Sequence, residues 1–149
     1  MNDYLEFLHR FVDAQEDIYE DAIRELKEGV KQSHWVWFIF PQITGLGHSS
    51  TAKYFELHSL EEVHSLEEVQ AYLKHQTPGT RIVQCTEIVL THFDVTALEI
   101  FGDIDELKFW SSMTLFAHMA DHGSVFEKAL DQFFDGIPDY RTLEIIDDL

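Results

Sequence analysis

Apolar residues recur along this chain at three- and four-residue intervals, the spacing that gives an α-helix one buried stripe. Leu5, Leu8, Phe11 and Val12 follow it behind Asp3, an N-cap residue type, and predict a first helix. Ile18, Ala22, Ile23 and Leu26 repeat it, and Gly29 supplies the C-terminal stop. The run W-V-W-F-I-F, residues 35–40, shows no such period. It ends at Pro41, which pushes Phe40 out of the α region and closes any helix through 35–39. A short helix starts at Ser49 or Ser50 and reaches Tyr54, and another passes through Tyr72 and Leu73. After Pro78-Gly79, the residues Ile82, Val83, Ile88, Val89 and Leu90 mark a largely buried helix. A short segment over 97–101 stops at Gly102, and Asp103 caps the next helix. Ser124 with Glu127 forms a capping box ahead of Val125, Phe126, Leu130, Phe133 and Phe134. Gly136 ends that helix, and Pro138-Asp139 opens a last one holding Leu143 and Ile146. Strand signals are weak. The pattern predicts an all-α, single-domain irregular bundle of about seven to nine helices across 1–149.

One stretch breaks the regularity. H-S-L-E-E-V-H-S-L-E-E-V, residues 58–69, is a tandem copy of one hexapeptide. Each copy carries the S-x-x-E capping pattern, at Ser59 with Glu62 and at Ser65 with Glu68. Six residues advance an α-helix by about 600°, so the copies cannot present the same face to one core. One is a solvated extension or loop, and the other begins the helix through Tyr72. Neither carries a functional assignment.

Composition narrows the partners. With 149 residues, 45% of them hydrophobic, the chain has material for one core. Ten Lys and Arg against 28 Asp and Glu give a formal charge of -18. That surface repels phosphate backbones and anionic membranes, which excludes nucleic acid and membrane as partners. A small anionic metabolite stays compatible, because local donors in a cleft outweigh the mean field. Cys85 is the single cysteine, so there is no intrachain disulfide and no thiolate metal cluster. Set among Val83, Thr86 and Ile88, it reads as a buried, inert thiol. The start, M-N-D-Y-L-E-F-L, lacks a signal peptide's basic and apolar regions, and no apolar run approaches a membrane span. Both point to the cytoplasm.

Candidate chemistry gathers in two places. In S-H-W-V-W-F-I-F-P-Q, residues 33–42, Phe38, Ile39 and Phe40 read as core, whereas His34, Trp35, Trp37 and Gln42 carry polar atoms that need partners. His34 is the candidate acid or base, since imidazole titrates near neutrality. The run leads into G-L-G-H-S-S-T-A-K. Gly45 and Gly47 permit close backbone approach, and Ser49 stands at a helix N-terminus where free amides favour an anion. This is neither a P-loop nor a dinucleotide fingerprint, and the plainer reading is a capped turn. The second place is the helix after Asp103. Asp105, Lys108, Ser111 and Ser112 fall at i, i+3, i+6 and i+7, where lysine and serines can hold an anionic oxygen. The plainer reading there is an Asp105–Lys108 pair with hydroxyls bonded back to helix carbonyls. His118 and His122 have zinc-like spacing but no intervening glutamate and a glycine close behind, so no metal and no cofactor are assigned.

Taken together these motifs resemble the DUF1810 family. L-x-R-F-V-x-A-Q at Leu8 to Gln15 with Tyr19 is similar to its opening, and S-H-W-V-W-F-I-F-P-Q-x-x-G-L-G-x-S, 33–49, to its most distinctive signature. I-F-G-x-x-D-x-x-K at 100–108, S-S-M-T-L-F at 111–116 and F-F-x-G-x-P-D-x-x-T-L at 133–143 follow in collinear order. The resemblance implies a small, mainly α-helical bacterial domain without an established activity. The name calpastatin, carried by some members, does not suit a chain with a full core. This sequence departs from the pattern at Trp110, where the family usually has a basic or polar residue, and in the duplicated hexapeptide.

The functional expectation is binding, and hydrolysis, of a nucleotide-derived or phosphorylated metabolite. Trp35 and Trp37 wall its ring, Gly45–Ser49 with Lys108, Ser111 and Ser112 hold its anion, and Gln42 contacts it. Hydrolysis of a glycosidic or phosphate-ester bond is the reaction such a polar pocket suits. The alternative is a non-catalytic interaction domain whose aromatic run is a hot spot for a protein partner.

Overall fold

A computed structural model describes residues 3–57 and 66–147, with the side chains of 3–7 left aside. The chain is all-α. In order it forms α1 (Asp3–Glu16), α2 (Tyr19–Glu28), α3 (Val36–Ile39), α4 (Ser50–Phe55), α5 (Glu67–Lys74), α6 (Pro78–Leu90), α7 (Ala97–Phe101), α8 (Asp103–Met119), α9 (Val125–Phe134) and α10 (Tyr140–Asp147). Ten helices among the described residues exceed the seven to nine of the sequence reading, because the four-residue α3 and five-residue α7 are separate turns. The only pairing of extended backbone there is an isolated parallel bridge between Ile43 and Leu57. The side-chain roles read for Asp3 and Leu5 lie outside the described residues, as does the first hexapeptide copy with Ser59 and Glu62, and Ser65 of the second.

α8 is the axis. It packs against α3, α5, α7, α9 and α10, and every residue from 111 to 116 is buried. A helix covered on most sides has no single apolar stripe, which is why its sequence mixes hydroxyls with Phe109, Met113, Leu115 and Phe116. Aromatic rings tie its neighbours to it. Phe40 meets Phe109 edge-on at 5.0 Å and Phe101 stacks on Phe109 at 4.5 Å, while Tyr72 lies 5.5 Å from Phe116. Phe11 closes this line from α1, edge-on to Tyr72 at 4.9 Å.

Several ends differ from the sequence reading for local reasons. Gly29 does cap α2 in the left-handed conformation, its N–H bonding back to Glu25 and Leu26. Gly102, rather than Asp103, is the N-cap of α8, and Asp135, also left-handed, precedes Gly136 at the end of α9. Thr96 and Glu99 make a full reciprocal capping box that the sequence reading passed over. At Ser124 only half the box forms: its hydroxyl accepts from Glu127 N–H. α5 and α6 meet so closely at Gly79 that an added Cβ would lie 2.2 Å from the Leu73 carbonyl oxygen.

Candidate functional site

The 33–42 segment is held by a residue on the helix before it. Glu25 falls on the apolar stripe of α2 and is 1% exposed. Its Oε1 accepts from the backbone N–H groups of Gln32 and Ser33 at 2.7 and 2.9 Å and from Trp35 Nε1 at 2.9 Å. Its Oε2 accepts from the Ser33 hydroxyl at 2.6 Å. Burial opposes ionisation, but these donors outweigh it and bring the carboxyl down to about 2. Lys31 completes the knot. Its ammonium pairs with Asp105 of α8 at 2.7 Å, donates to the Ser33 carbonyl and sits 5.1 Å above the Trp35 ring. Trp35 is therefore sealed at 0% exposure with its N–H satisfied. It is core, not the wall of a pocket, and it is not available as a surface hot spot.

Downstream, side chains from other helices hold the end of α3. Gln15 donates to the Phe38 carbonyl at 2.6 Å, and the Tyr72 hydroxyl lies 3.2 and 3.3 Å from the Phe38 and Ile39 carbonyls. The glycine turn does bind an anion, but the anion is the chain's own. Gly45 N–H and the Thr44 hydroxyl donate to Glu56 Oε2 at 3.1 and 3.2 Å, and Gly47 N–H to Glu56 Oε1 at 2.8 Å. A Cβ on Gly47 would stand 2.5 Å from Ala52 Cβ and 2.8 Å from Glu56 Oε1, so the glycine is required for this closure. The Ser49 hydroxyl is used as the N-cap of α4, accepting from Ala52 N–H at 3.0 Å. Gly45, Gly47 and Ser49 are thus occupied within the protein.

On α8 the two serines divide. The Ser111 hydroxyl bonds Asp139 Oδ2 at 2.6 Å and lies 3.0 Å from the Leu107 carbonyl. Asp139, 1% exposed, also accepts from the Thr142 hydroxyl and Arg141 N–H, while its own N–H donates to Thr114. Ser111 therefore anchors the start of α10. Ser112 is equally buried, and its hydroxyl has no hydrogen-bond partner among the described residues. The intrahelical Asp105–Lys108 pair does not form, since Asp105 is taken by Lys31. This leaves Lys108 in an unusual position. Among the described cations that are not fully exposed, Arg10 pairs with Glu68, Lys31 with Asp105, and Arg81 bonds Gln15 and covers the Tyr19 ring. Half-buried Lys108 has no partner among the described residues.

Signature side chains with unspent polar atoms are thus fewer than the sequence offered. His34 is exposed, 6.4 Å from the half-buried Trp37 ring. Trp37 is the tryptophan whose N–H donates to no group among the described residues, Trp110 giving its own to the Ile137 carbonyl at 2.8 Å. Gln42 engages through its backbone, accepting from Leu57 N–H at 2.9 Å, and its side-chain amide bonds nothing among the described residues. The roles of the buried acids Glu25, Glu56 and Asp139, which consume the other donors, escaped the sequence reading, where Asp139 stood only as a helix start. Two left a signal: Glu25 lies on an apolar stripe, and Asp139 follows a proline at a helix start.

Elsewhere the chemistry is quiet. His122 lies beyond the end of α8 and pairs with Glu127 at 3.2 Å, so His118 and His122 share no helix face. No group of His, Cys, Asp and Glu among the described residues is arranged to hold a metal ion. Burial pushes the Cys85 thiol up to about 12, that of an inert sulfur. No helix among the described residues is long and apolar enough to cross a membrane.

Comparison with known proteins gives a family whose function is unknown. No curated protein matches. In the solved structures the chain is similar to the conserved hypothetical protein Rv1873 from Mycobacterium tuberculosis, at 41% identity and a TM-score of 0.87, covering 94% of this chain and 96% of that one. The family described as protein of unknown function DUF1810 matches residues 6–146. The chain belongs to the DUF1810 family.

Proposed function

We propose that this protein binds a small anionic metabolite, nucleotide-derived or phosphorylated, where α8 meets the 34–42 segment. The observation that carries this reading is Lys108, a half-buried ammonium without a partner among the described residues, in a chain of formal charge -18. Such a chain has acids to spare for a buried cation: Arg10 and Lys31 each have one, and Arg81 is held by Gln15 and the Tyr19 ring. Lys108 lies three residues, about one turn, beyond Asp105, which faces the Lys31–Ser33 strap, and α3 packs on the same helix. In this reading Lys108 supplies the charge, Gln42 an amide contact and Trp37 a flat face for a ring. His34 is the acid–base group for hydrolysis of a glycosidic or phosphate-ester bond. Ser112 stands one turn further along the line of Lys108. Trp35, Gly45, Gly47, Ser49 and Ser111 act as the scaffold.

Thermal unfolding tests this with inorganic phosphate, sugar phosphates and nucleoside monophosphates. A ligand at 100 times its Kd adds about 2.7 kcal/mol, which raises Tm by roughly 5–10 °C for a domain of this size. Lys108→Ala is expected to remove that rise without lowering the ligand-free Tm. If no anion raises the wild-type midpoint, or if Lys108→Ala responds as the wild type does, the reading fails. His34→Ala separates the reaction from binding: product release on chromatography stops while the ligand-induced rise persists.

A further inference from the structure

On the opposite use of the molecule, the C-terminal half of α6 borders a second feature. Glu87, Leu90, Thr91, Phe93, Lys128 and Gln132 line a groove of about 400 Å3 between α6 and α9. Phe93, in the loop after α6, is 83% exposed, more than any other large hydrophobic residue among those described. Glu87 on one wall and Lys128 on the other carry opposite charges, yet neither forms an ion pair with the other or with any described residue. Gln132 fixes the floor by donating to the Leu90 and His92 carbonyls at 3.1 and 3.3 Å. The groove therefore has a firm base, an apolar side chain standing at its edge and two unspent charges of opposite sign.

We propose that this groove is the interface of a two-fold symmetric dimer in which Phe93 of each copy enters the groove of the other. In such a pair, a residue that meets another is met by it in return. A surface with one acid and one base on facing walls is thus complementary to itself: Glu87 of each copy meets Lys128 of the second copy. A uniformly basic or acidic partner would gain one of these contacts and be repelled by the other. The long-range field of two -18 chains opposes association, so the contact forms most readily where salt screens that field and leaves the close pairs intact. The adjoining groove between α2 and α6, about 660 Å3, shares Glu87 and Thr91 and extends the same surface.

Sedimentation equilibrium tests the proposal at about 0.5 M salt, where the screening length is roughly 4 Å. The wild type is expected to pass from monomer to dimer with concentration. Phe93→Asp, a change at an exposed loop position, should weaken association at least tenfold without altering the Tm measured at dilutions where the wild type is monomeric. Glu87→Lys and Lys128→Glu should each weaken it by a similar factor, and the double variant Glu87→Lys/Lys128→Glu should restore it. A wild type that stays monomeric at every concentration overturns the proposal. So does a dimer indifferent to Phe93→Asp, and so does a double variant no better than the single ones.

Discussion

Replacing Glu25 with glutamine removes a charge while keeping the side chain's shape, and the structure sets the size of the effect. Four donors converge on this carboxylate in a water-excluded position, and they bring it from an ordinary 4.5 to about 2. A depressed acid stabilises the fold above its unfolded value, and that contribution disappears as pH falls through the folded value. At neutral pH it amounts to about 3 kcal/mol, a large share of the 5–15 kcal/mol typical of a domain. Glu25→Gln should therefore lower the unfolding free energy by about 3 kcal/mol at pH 7, measured by urea titration. The difference from wild type should persist at pH 5 and shrink by about 1 kcal/mol at pH 3.5, where the unfolded wild type has regained its proton and the folded one has not. Ser33→Ala, which removes one donor, should show a smaller loss with the same pH trend. A deficit below about 1 kcal/mol at pH 7, or one that does not change between pH 5 and 3.5, would refute the claim that these four contacts hold an ionised carboxylate.

Other outcomes follow from the same contacts. Ser111→Ala should cost about 1–3 kcal/mol by stranding part of Asp139, whereas Ser112→Ala should be neutral or raise Tm slightly, because it deletes a buried hydroxyl that bonds nothing. Equal losses in paired melts would contradict that division. Gly47→Ala should destabilise by about 1–3 kcal/mol, since the new methyl would overlap Ala52 and the Glu56 carboxylate; a variant as stable as wild type in urea would show that the turn yields. Cys85, buried with a raised pKa, should resist a thiol reagent at pH 8 until urea unfolds the chain. Rapid labelling of the folded protein would count against that burial.

Where a helix buries one stripe, the sequence was readable. α2, α6 and α9 each show it, and the stops at Gly29 and Pro41 are local chemistry that any neighbourhood would respect. α8 was harder, because a helix enclosed by five others loses the contrast between faces on which periodicity depends. The polar contacts were legible in kind and not in pairing. An anion-binding turn was visible in G-L-G-H-S-S, but the partner, Glu56, gave no signal that it would fold back onto it. The Asp105–Lys108 pair satisfied the helix-local rule, and it lost to Lys31, which approaches from another part of the chain. Local rules propose donors and acceptors; only the tertiary fold decides which ones meet.

The glycine turn and Glu56 can also be viewed as a binding equilibrium inside one molecule. Glu56 lies eleven residues from Gly45 and nine from Gly47, and a tether of that length presents its end group at an effective concentration in the millimolar range or above. A free phosphate or carboxylate in solution would have to compete with that standing occupant for the same amides. The motif that most resembles a ligand site is thus insulated from free anions, and under the proposed function recognition falls to the side chains left without a tethered rival.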